Sequence, residues 1–434
     1  MRRLFRAIPA VLLLVSIATL LTARRGQTVP LYAARTGLMC QNCHFDPNGG
    51  GARNEFGFAF AKNRHAIEPE GENSPWKDLA LTNRVGDNFP LYLGINHRFM
   101  AIANTTAKSD SLDRAGFFNM ENALHLAFQP HPRLTLVYTR DGFDGGSSSK
   151  EAFGMIGGFP VGGYLKAGRF RTPFGLRMDD HTVATRNGFL DFFDPSGISG
   201  NFSYADSAKS GFLPYDPRHP DMGIEYGLDW NGAFARGSLT NGASHPFGSQ
   251  SGPYATAATL KLGYNRPGYQ GSISVYDEFR RFDAGFASWP DVKRATRWGY
   301  YGLVSRGPVA MLGEISAGTD ETVPVITGHA SGPKTNSLAW WAEVDYAPVR
   351  QANVRLRYDR MNLDRGAIDP YIRELNQHSR MALEAEWVPV PFAELRWTLR
   401  KVDHDGDNFR NNAFGGKTPI KDETQTYLQF HFSY

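Results

Sequence analysis

The sequence predicts an all-β protein: an antiparallel transmembrane β-barrel of about sixteen strands over residues 84–434, preceded by a small, mostly irregular or helical segment over 24–83. Three observations predict it. From about residue 84 the chain reads as segments of roughly ten residues, many of them alternating in polarity, as barrel strands do. The connections between these segments alternate between tight and long. Beyond residue 23 no apolar run is long enough to cross a membrane as a helix, so a chain that spans one must close its backbone hydrogen bonds as a barrel.

The first element is a basic start, Arg2, Arg3 and Arg6, then an apolar run from Ala7 to Ala23 that ends at Arg24 and Arg25. This is the layout of a secretory signal over residues 1–23, with Ser16-Ile17-Ala18 or Ala23 as candidate cleavage points. An uncleaved anchor helix is the alternative, and both readings send the rest of the chain out of the cytoplasm. The formal charge of +4 falls to about +1 without the three arginines. A balance so close to neutral argues against nucleic acid as a partner.

Strands are expected over 90–102, 118–129, 133–143, 150–157, 162–170, 222–230, 232–241, 254–264, 268–281, 297–305, 307–318, 337–347, 351–362, 376–388, 391–402 and 424–434. In the second, Phe118, Met120, Leu124, Leu126 and Phe128 share one face, and Asn119, Glu121, Ala123, His125 and Ala127 share the other. Every second connection is tight: Pro130-His131-Pro132, Phe159-Pro160-Val161, Asn231, Asn265-Arg266-Pro267, Arg306, Pro348-Val349-Arg350 and Pro389-Val390. Those between are mostly long and rich in Gly, Asp and Ser, and the longest is 171–221. Bacterial barrels segregate loop length in this way, short turns to the periplasm and long loops outside. A soluble sandwich has no reason to do so. The last strand alternates and ends on the aromatic Tyr434, which resembles the terminal signature of bacterial outer-membrane proteins. The stretch Lys166 to Leu176, with Arg169-Phe170-Arg171-Thr172-Pro173-Phe174-Gly175, resembles one common in bacterial porins.

The chain has two cysteines, both in Cys40-Gln41-Asn42-Cys43-His44. A disulfide across this spacing would close a tiny loop and staple little. A thioredoxin-like pair would need a βαβ context, and none is visible. The remaining reading is one covalently attached haem c: two thiols spaced to reach its two vinyl groups, and an adjacent histidine, His44, to ligate the iron. Met39 is too near in sequence to reach the opposite face of the haem. His65, which follows the apolar Phe56-Gly57-Phe58-Ala59-Phe60, is the candidate second axial ligand. His97, Met100, Met120 and His125 could also reach back from a barrel wall, and an open sixth position is an alternative.

A haem motif followed at once by a small porin-like barrel resembles the fused outer-membrane monohaem cytochrome–porin family, typified by an iron-oxidising cytochrome. Tyr32-Ala33-Ala34-Arg35-Thr36-Gly37 leads into Cys40, Cys43 and His44 as an aromatic residue and a Thr-Gly pair do there, and Phe56-Gly57-Phe58-Ala59-Phe60 with Asn63 resembles that family's Phe-Gly-x-x-Phe element. The insert Asn48-Gly49-Gly50-Gly51 departs from the pattern. The resemblance implies a haem segment in or under the barrel mouth, and electron transfer across the bacterial outer membrane between an extracellular donor or acceptor, Fe(II) among them, and a periplasmic carrier such as a soluble cytochrome.

Two loop clusters are candidate encounter sites for a metal ion: Asp179, Asp180 and His181, and Asp403, Asp405 and Asp407 with His404 and Asn408. Carboxylate and imidazole suit divalent iron or calcium, and solvated acidic loops are the alternative. The leading function is therefore extracellular electron transfer, with ferrous iron oxidation as its enzymatic form. The alternatives are a haem-plugged or redox-gated porin for small solutes, and a scaffold barrel that sheathes a separate multihaem cytochrome. The haem motif argues against the last. A lumen filled by residues 24–83 would favour electron transfer over transport.

Overall fold

The computed structural model describes residues 38–86, 89–106, 114–141, 148–176, 183–186, 220–242, 255–280, 292–322, 334–365, 377–404, 409–411, 417–419 and 423–434. The expected signal, residues 1–23, and the stretch 24–37 lie outside them.

Sixteen strands form one closed antiparallel barrel. In chain order they are β1 (Leu91–Thr106), β2 (Arg114–His131), β3 (Leu134–Asp141), β4 (Ser148–Phe159), β5 (Gly163–Arg171), β6 (Pro220–Trp230), β7 (Ala233–Thr240) and β8 (Ala255–Arg266). They continue as β9 (Tyr269–Arg280), β10 (Val292–Arg306), β11 (Val309–Thr322), β12 (Lys334–Val349), β13 (Ala352–Arg365), β14 (Gln377–Val390), β15 (Ala393–His404) and β16 (Glu423–Ser433). Each strand pairs with its sequence neighbours, and β16 closes on β1, with Glu423 opposite Thr106 and Ser433 opposite Asn96. Every predicted strand has its counterpart. Several extend further on the long-loop side than expected: β1 runs to Thr106 and β10 begins at Val292. A short hairpin, Phe409–Asn411 with Lys417–Pro419, lies in the last long connection and was not expected.

The tight turns fall within a few residues of the predicted ones. Asn231-Gly232 has positive φ at both positions, 50° and 86°, as the two-residue hairpin turn that matches strand twist requires. The turn predicted at Pro389-Val390 is at Pro391-Phe392 instead, because β14 continues through Val390. One face assignment is interrupted. The β1–β2 register shifts between Arg98 and Phe99, which skips Met120, so the alternation read for β2 is continuous only from Glu121 onward. Beyond the shift Phe117 is exposed and stacks on Phe99 at 5.7 Å. The side chains of Phe118 and Met120 lie outside the described ones.

The burial pattern is inverted relative to a water-soluble protein. Leu136, Ile156, Ile224, Leu260, Ile273 and Met311 point outward and are 45–58% exposed. Lys166, Glu225, Asp345, Arg357, Asp359 and Arg380 point inward and are at most 2% exposed. An apolar outer belt around a charged interior suits a barrel surrounded by lipid.

Candidate functional site

The cysteine segment is built by local hydrogen bonds. Cys40–Asn42 form one 3-10 turn. The N–H groups of Cys43 and His44 both donate to the Cys40 carbonyl, at 3.1 and 2.9 Å. The two thiols and the imidazole therefore project from one compact turn, and the thiols are not joined to each other. The chain then reverses through Gly49, Gly50 and Gly51, all at positive φ, and returns so that His44 pairs with Arg53. A side chain at Gly49 would place its Cβ 3.2 Å from the Cys40 sulfur. The insert Asn48-Gly49-Gly50-Gly51 is thus the reversal that brings the chain back over the motif.

The helix α1 (Glu55–Lys62) follows. Asn54 caps it by accepting from the Gly57 N–H at 2.9 Å, and donates its own side chain to the Asn42 carbonyl at 3.0 Å. Helix and motif are thereby locked together. Gly57 makes the contact close: a Cβ there would lie 2.1 Å from the Cys43 carbonyl oxygen. Gly57→Ala is accordingly expected to push α1 off the cysteine turn and to make the segment at least severalfold easier to cut by protease, read as cleavage within 38–86 of the folded barrel. Equal cleavage of the variant and the parent would show that the contact is dispensable.

The segment is held inside the barrel by contacts to inward-facing side chains. Asp46 pairs with Lys166 at 2.9 Å, and Lys166 also meets Glu225 at 3.1 Å. Asn48 and Tyr164 donate to the same Glu225 carboxylate, at 2.9 and 2.6 Å. Arg53 donates to the Ser433 carbonyl at 2.8 Å. Phe58 packs on Phe392 and Tyr434, with ring centroids 5.0 and 5.1 Å apart. These attachments reach β5, β6, the end of β16 and the β14–β15 turn, so the segment is tied to two separate parts of the wall.

A second segment enters the lumen from the other direction. After β5 the chain at 172–176 and 183–185 crosses to the opposite wall. The Gly175 N–H donates to Ser274 at 3.1 Å, the Leu176 N–H to Glu314 at 3.0 Å, and the Ala184 N–H to Asp359 at 3.0 Å. Lys261 donates to the Gly175 carbonyl at 2.6 Å. Leu176 and Val183 pack with Tyr301, Leu303, Leu312 and Trp341. The porin-like stretch is the start of this inward loop.

Between the two segments lies a cavity of about 360 Å³, lined by Cys40, Cys43, His44, His65, His125 and His431 together with Leu176, Tyr301 and Leu312. Its size is within the range of roughly 300–1,000 Å³ usual for ligand and cofactor sites. Burial pushes the Cys43 thiol up to about 11, with Cys40 adding to the effect and Arg53 opposing it. It is a protonated thiol at neutral pH, unlike the low-pKa thiolate of an exchange-active pair. Burial pushes His65 down to about 3, overriding the pull of Glu394, while Arg53, His431 and Arg396 reinforce the shift. Its imidazole is therefore neutral and able to ligate a metal.

The structure thus brings Cys40, Cys43, His44 and His65 to one cavity, and of the other candidate ligands His125 joins them. His97 falls on the alternate face of β1 beside Asn122, and Met100 is buried away from the cavity. His431 went unnoticed in the sequence. Its signal was the inward register Gln429, His431, Ser433 of the last strand. Glu386 and Glu394, which stand with His65, carried no sequence signal beyond alternation. Of the loop clusters, Asp179, Asp180, His181, Asp405 and Asp407 lie outside the described residues. Asp403 is half-exposed and pairs with Lys401 at 2.7 Å.

No family model matches the chain, and no curated protein matches it. Solved barrels do. It is similar to the outer-membrane protein OmpT of Vibrio cholerae, with a TM-score of 0.52 at 8% identity over 81% of this chain and 99% of that one. It is similar to an anion-selective porin from Comamonas acidovorans, with 0.54 at 12% over 79% and 99%. It is also similar to the outer-membrane channel DcaP of Acinetobacter baumannii, with 0.53 at 13% over 79% and 97%. At these identities the likeness establishes a porin-like barrel as the fold.

Proposed function

We propose that this chain is an outer-membrane c-type cytochrome–porin that moves electrons across the bacterial outer membrane, with ferrous iron as the candidate extracellular donor and a soluble periplasmic cytochrome as the candidate acceptor. The observation that carries the reading is the position of the cysteine–histidine turn: it faces a cavity in a lumen obstructed by residues 38–86 on one side and by the inward loop on the other. A solute pore needs the opposite, an open path.

The donor set fits one haem c. Cys40 and Cys43 would form the thioether bonds, and His44 and His65 would be the residues that ligate the iron. When bound, the haem would supply a single one-electron iron couple. The protein's own residues do the rest. Gly49 and Gly57 leave room for the cysteine turn to pack closely. His65 stays neutral. Leu176, Tyr301 and Leu312 of the apolar cluster line the cavity beside charged side chains such as Lys261, Arg355 and Glu386. The polar lumen tunes the potential through its charges.

A haem-plugged or redox-gated porin is the second reading, favoured by the fold itself, and conductance separates the two. In sealed lipid vesicles the intact protein should conduct ions poorly, yet oxidise external ferrous iron and reduce an acceptor trapped inside. Large steady channels, with a haem that ignores external reductant, would establish the porin instead. The cofactor is tested separately. Cys40→Ser and Cys43→Ser should each abolish covalent haem staining on a denaturing gel, and full staining in both would remove the cofactor from the reading.

A further inference from the structure

His65 is aimed by an unusual stretch of backbone. Arg64 and His65 are consecutive non-glycine residues in the left-handed region, with φ of 53° and 64°. Such conformations persist where the surroundings over-determine them. The surroundings here do so. The Arg64 guanidinium is pinned by both oxygens of Glu70, at 2.7 and 2.6 Å. The His65 N–H donates to the Phe60 carbonyl at 3.0 Å, and its ring stacks on Phe60 at 6.0 Å. The strain directs the imidazole toward β14 and β15.

Two buried carboxylates meet it there. A ring nitrogen of His65 and one oxygen each of Glu386 and Glu394 all lie within 4.8 Å of one another. The carboxylates differ in what already occupies them. One oxygen of Glu386 takes both Arg355 and Arg396. Glu394 gives Oε1 to Arg396 at 2.7 Å and turns Oε2 toward His431, 3.7 Å away. Arg396 thus anchors Glu394, whose second oxygen faces His431 and whose charge bears on the neighbouring His65 ring.

We propose that Glu394 is the positioning residue for His65. It accepts the proton of one ring nitrogen, so that the other nitrogen carries its lone pair into the cavity that His44 lines. Metal-ligating histidines are commonly held this way: a carboxylate fixes the tautomer and the ring orientation and makes the imidazole a stronger donor. Here the carboxylate comes from the barrel wall and the histidine from the lumen segment. Docking of the segment and ligand strength are therefore set by one contact. The inference rests on the haem reading above and adds to it the residue that tunes the iron.

The test uses the purified full-length protein in detergent, with folding checked by the gel shift of the intact barrel. Glu394→Gln keeps the shape and removes the charge. A less basic imidazole favours ferrous iron, so the midpoint potential should rise by about a tenfold step in the one-electron equilibrium, ~59 mV, and the low-spin electron paramagnetic resonance signal should shift. Glu394→Asp, which keeps the charge and withdraws it, should move both in the same direction by less, and serves where the glutamine variant does not fold. Glu386→Gln should change them less than Glu394→Gln. An unchanged potential and signal in both Glu394 variants would overturn the proposal while leaving the haem in place. His65→Ala checks the ground beneath it by converting a low-spin haem to a high-spin one. A spectrum that stays low-spin in that variant would remove His65 as ligand, and the role of Glu394 with it. Absence of covalent haem from the parent protein would instead defeat the functional reading itself.

Discussion

Removing residues 24–83 while keeping residues 1–23 is expected to turn a poorly conducting barrel into an ion channel and, on the electron-transfer reading proposed above, to end electron transfer in the same step. The barrel does not need the segment to close: β1 to β16 pair in an unbroken circle, and β16 meets β1 through its own backbone. What the segment contributes is obstruction. Its loss would free the volume now held by the cysteine turn, the glycine reversal and α1, and would leave the inward loop after β5 as a constriction among the described residues. Single-channel recording should therefore show a pore of modest rather than full-lumen conductance. Vesicles carrying the truncated protein should no longer pass electrons to a trapped acceptor. A truncated barrel that conducts no more than the parent would mean that the inward loop alone seals the lumen. The parent's silence would then say nothing about the segment.

The second large effect is expected at Lys166. Its ammonium group is fully buried, with Asp46 of the segment on one side and Glu225 of the wall on the other. The rings of Phe153 and Phe170 lie about 5 Å away. Lys166→Met fits the stem and leaves two buried carboxylates facing each other. Removing one partner of such a set costs on the order of 3–5 kcal/mol, because the remaining charges are stranded without water. Asp46 is the mobile member of the trio, since it belongs to the segment and not to the wall, so the strain should be relieved by undocking. Protease added from the segment side should then cut within 38–86 at least tenfold faster, while the strands stay protected. Adding Asp46→Asn and Glu225→Gln to the same chain should restore much of the protection, because the stranded charges are gone. If Lys166→Met leaves the cutting rate unchanged, the docking energy lies elsewhere, in Arg53 and the Phe58 cluster.

Much of the barrel is legible in the sequence because its signals are local. A strand in a lipid-facing barrel must alternate, so Ile273, Val275 and their neighbours announce the period by themselves. Glycine, asparagine and proline mark the turns where φ has to be positive or fixed, as at Asn231-Gly232. The cysteine–histidine turn is legible for the same reason: its chemistry needs three side chains within five residues. Turn positions slip by a residue or two where proline sits inside a strand end, as at Pro389, since proline there can close a ladder as well as leave it.

The pairings across the lumen are not legible. Lys166 and Asp46 are 120 positions apart, and Arg53 and Ser433 are 380 apart. Alternation says that a residue faces inward, but not which inward residue from another strand it will meet. That depends on where the barrel closes and how the segment sits within it. The inward loop carries the same lesson. Arg171-Thr172-Pro173-Phe174-Gly175 reads as the start of an ordinary long connection, and only the presence of Glu314 and Asp359 on the far wall draws its backbone N–H groups across the lumen. Strand number, loop alternation and the cysteine–histidine motif are thus written in the local chemistry of the chain. The obstruction of the lumen, and the gathering of His65, Glu394 and His431 around one cavity, come from long-range closure, which fixes distances that no local pattern encodes.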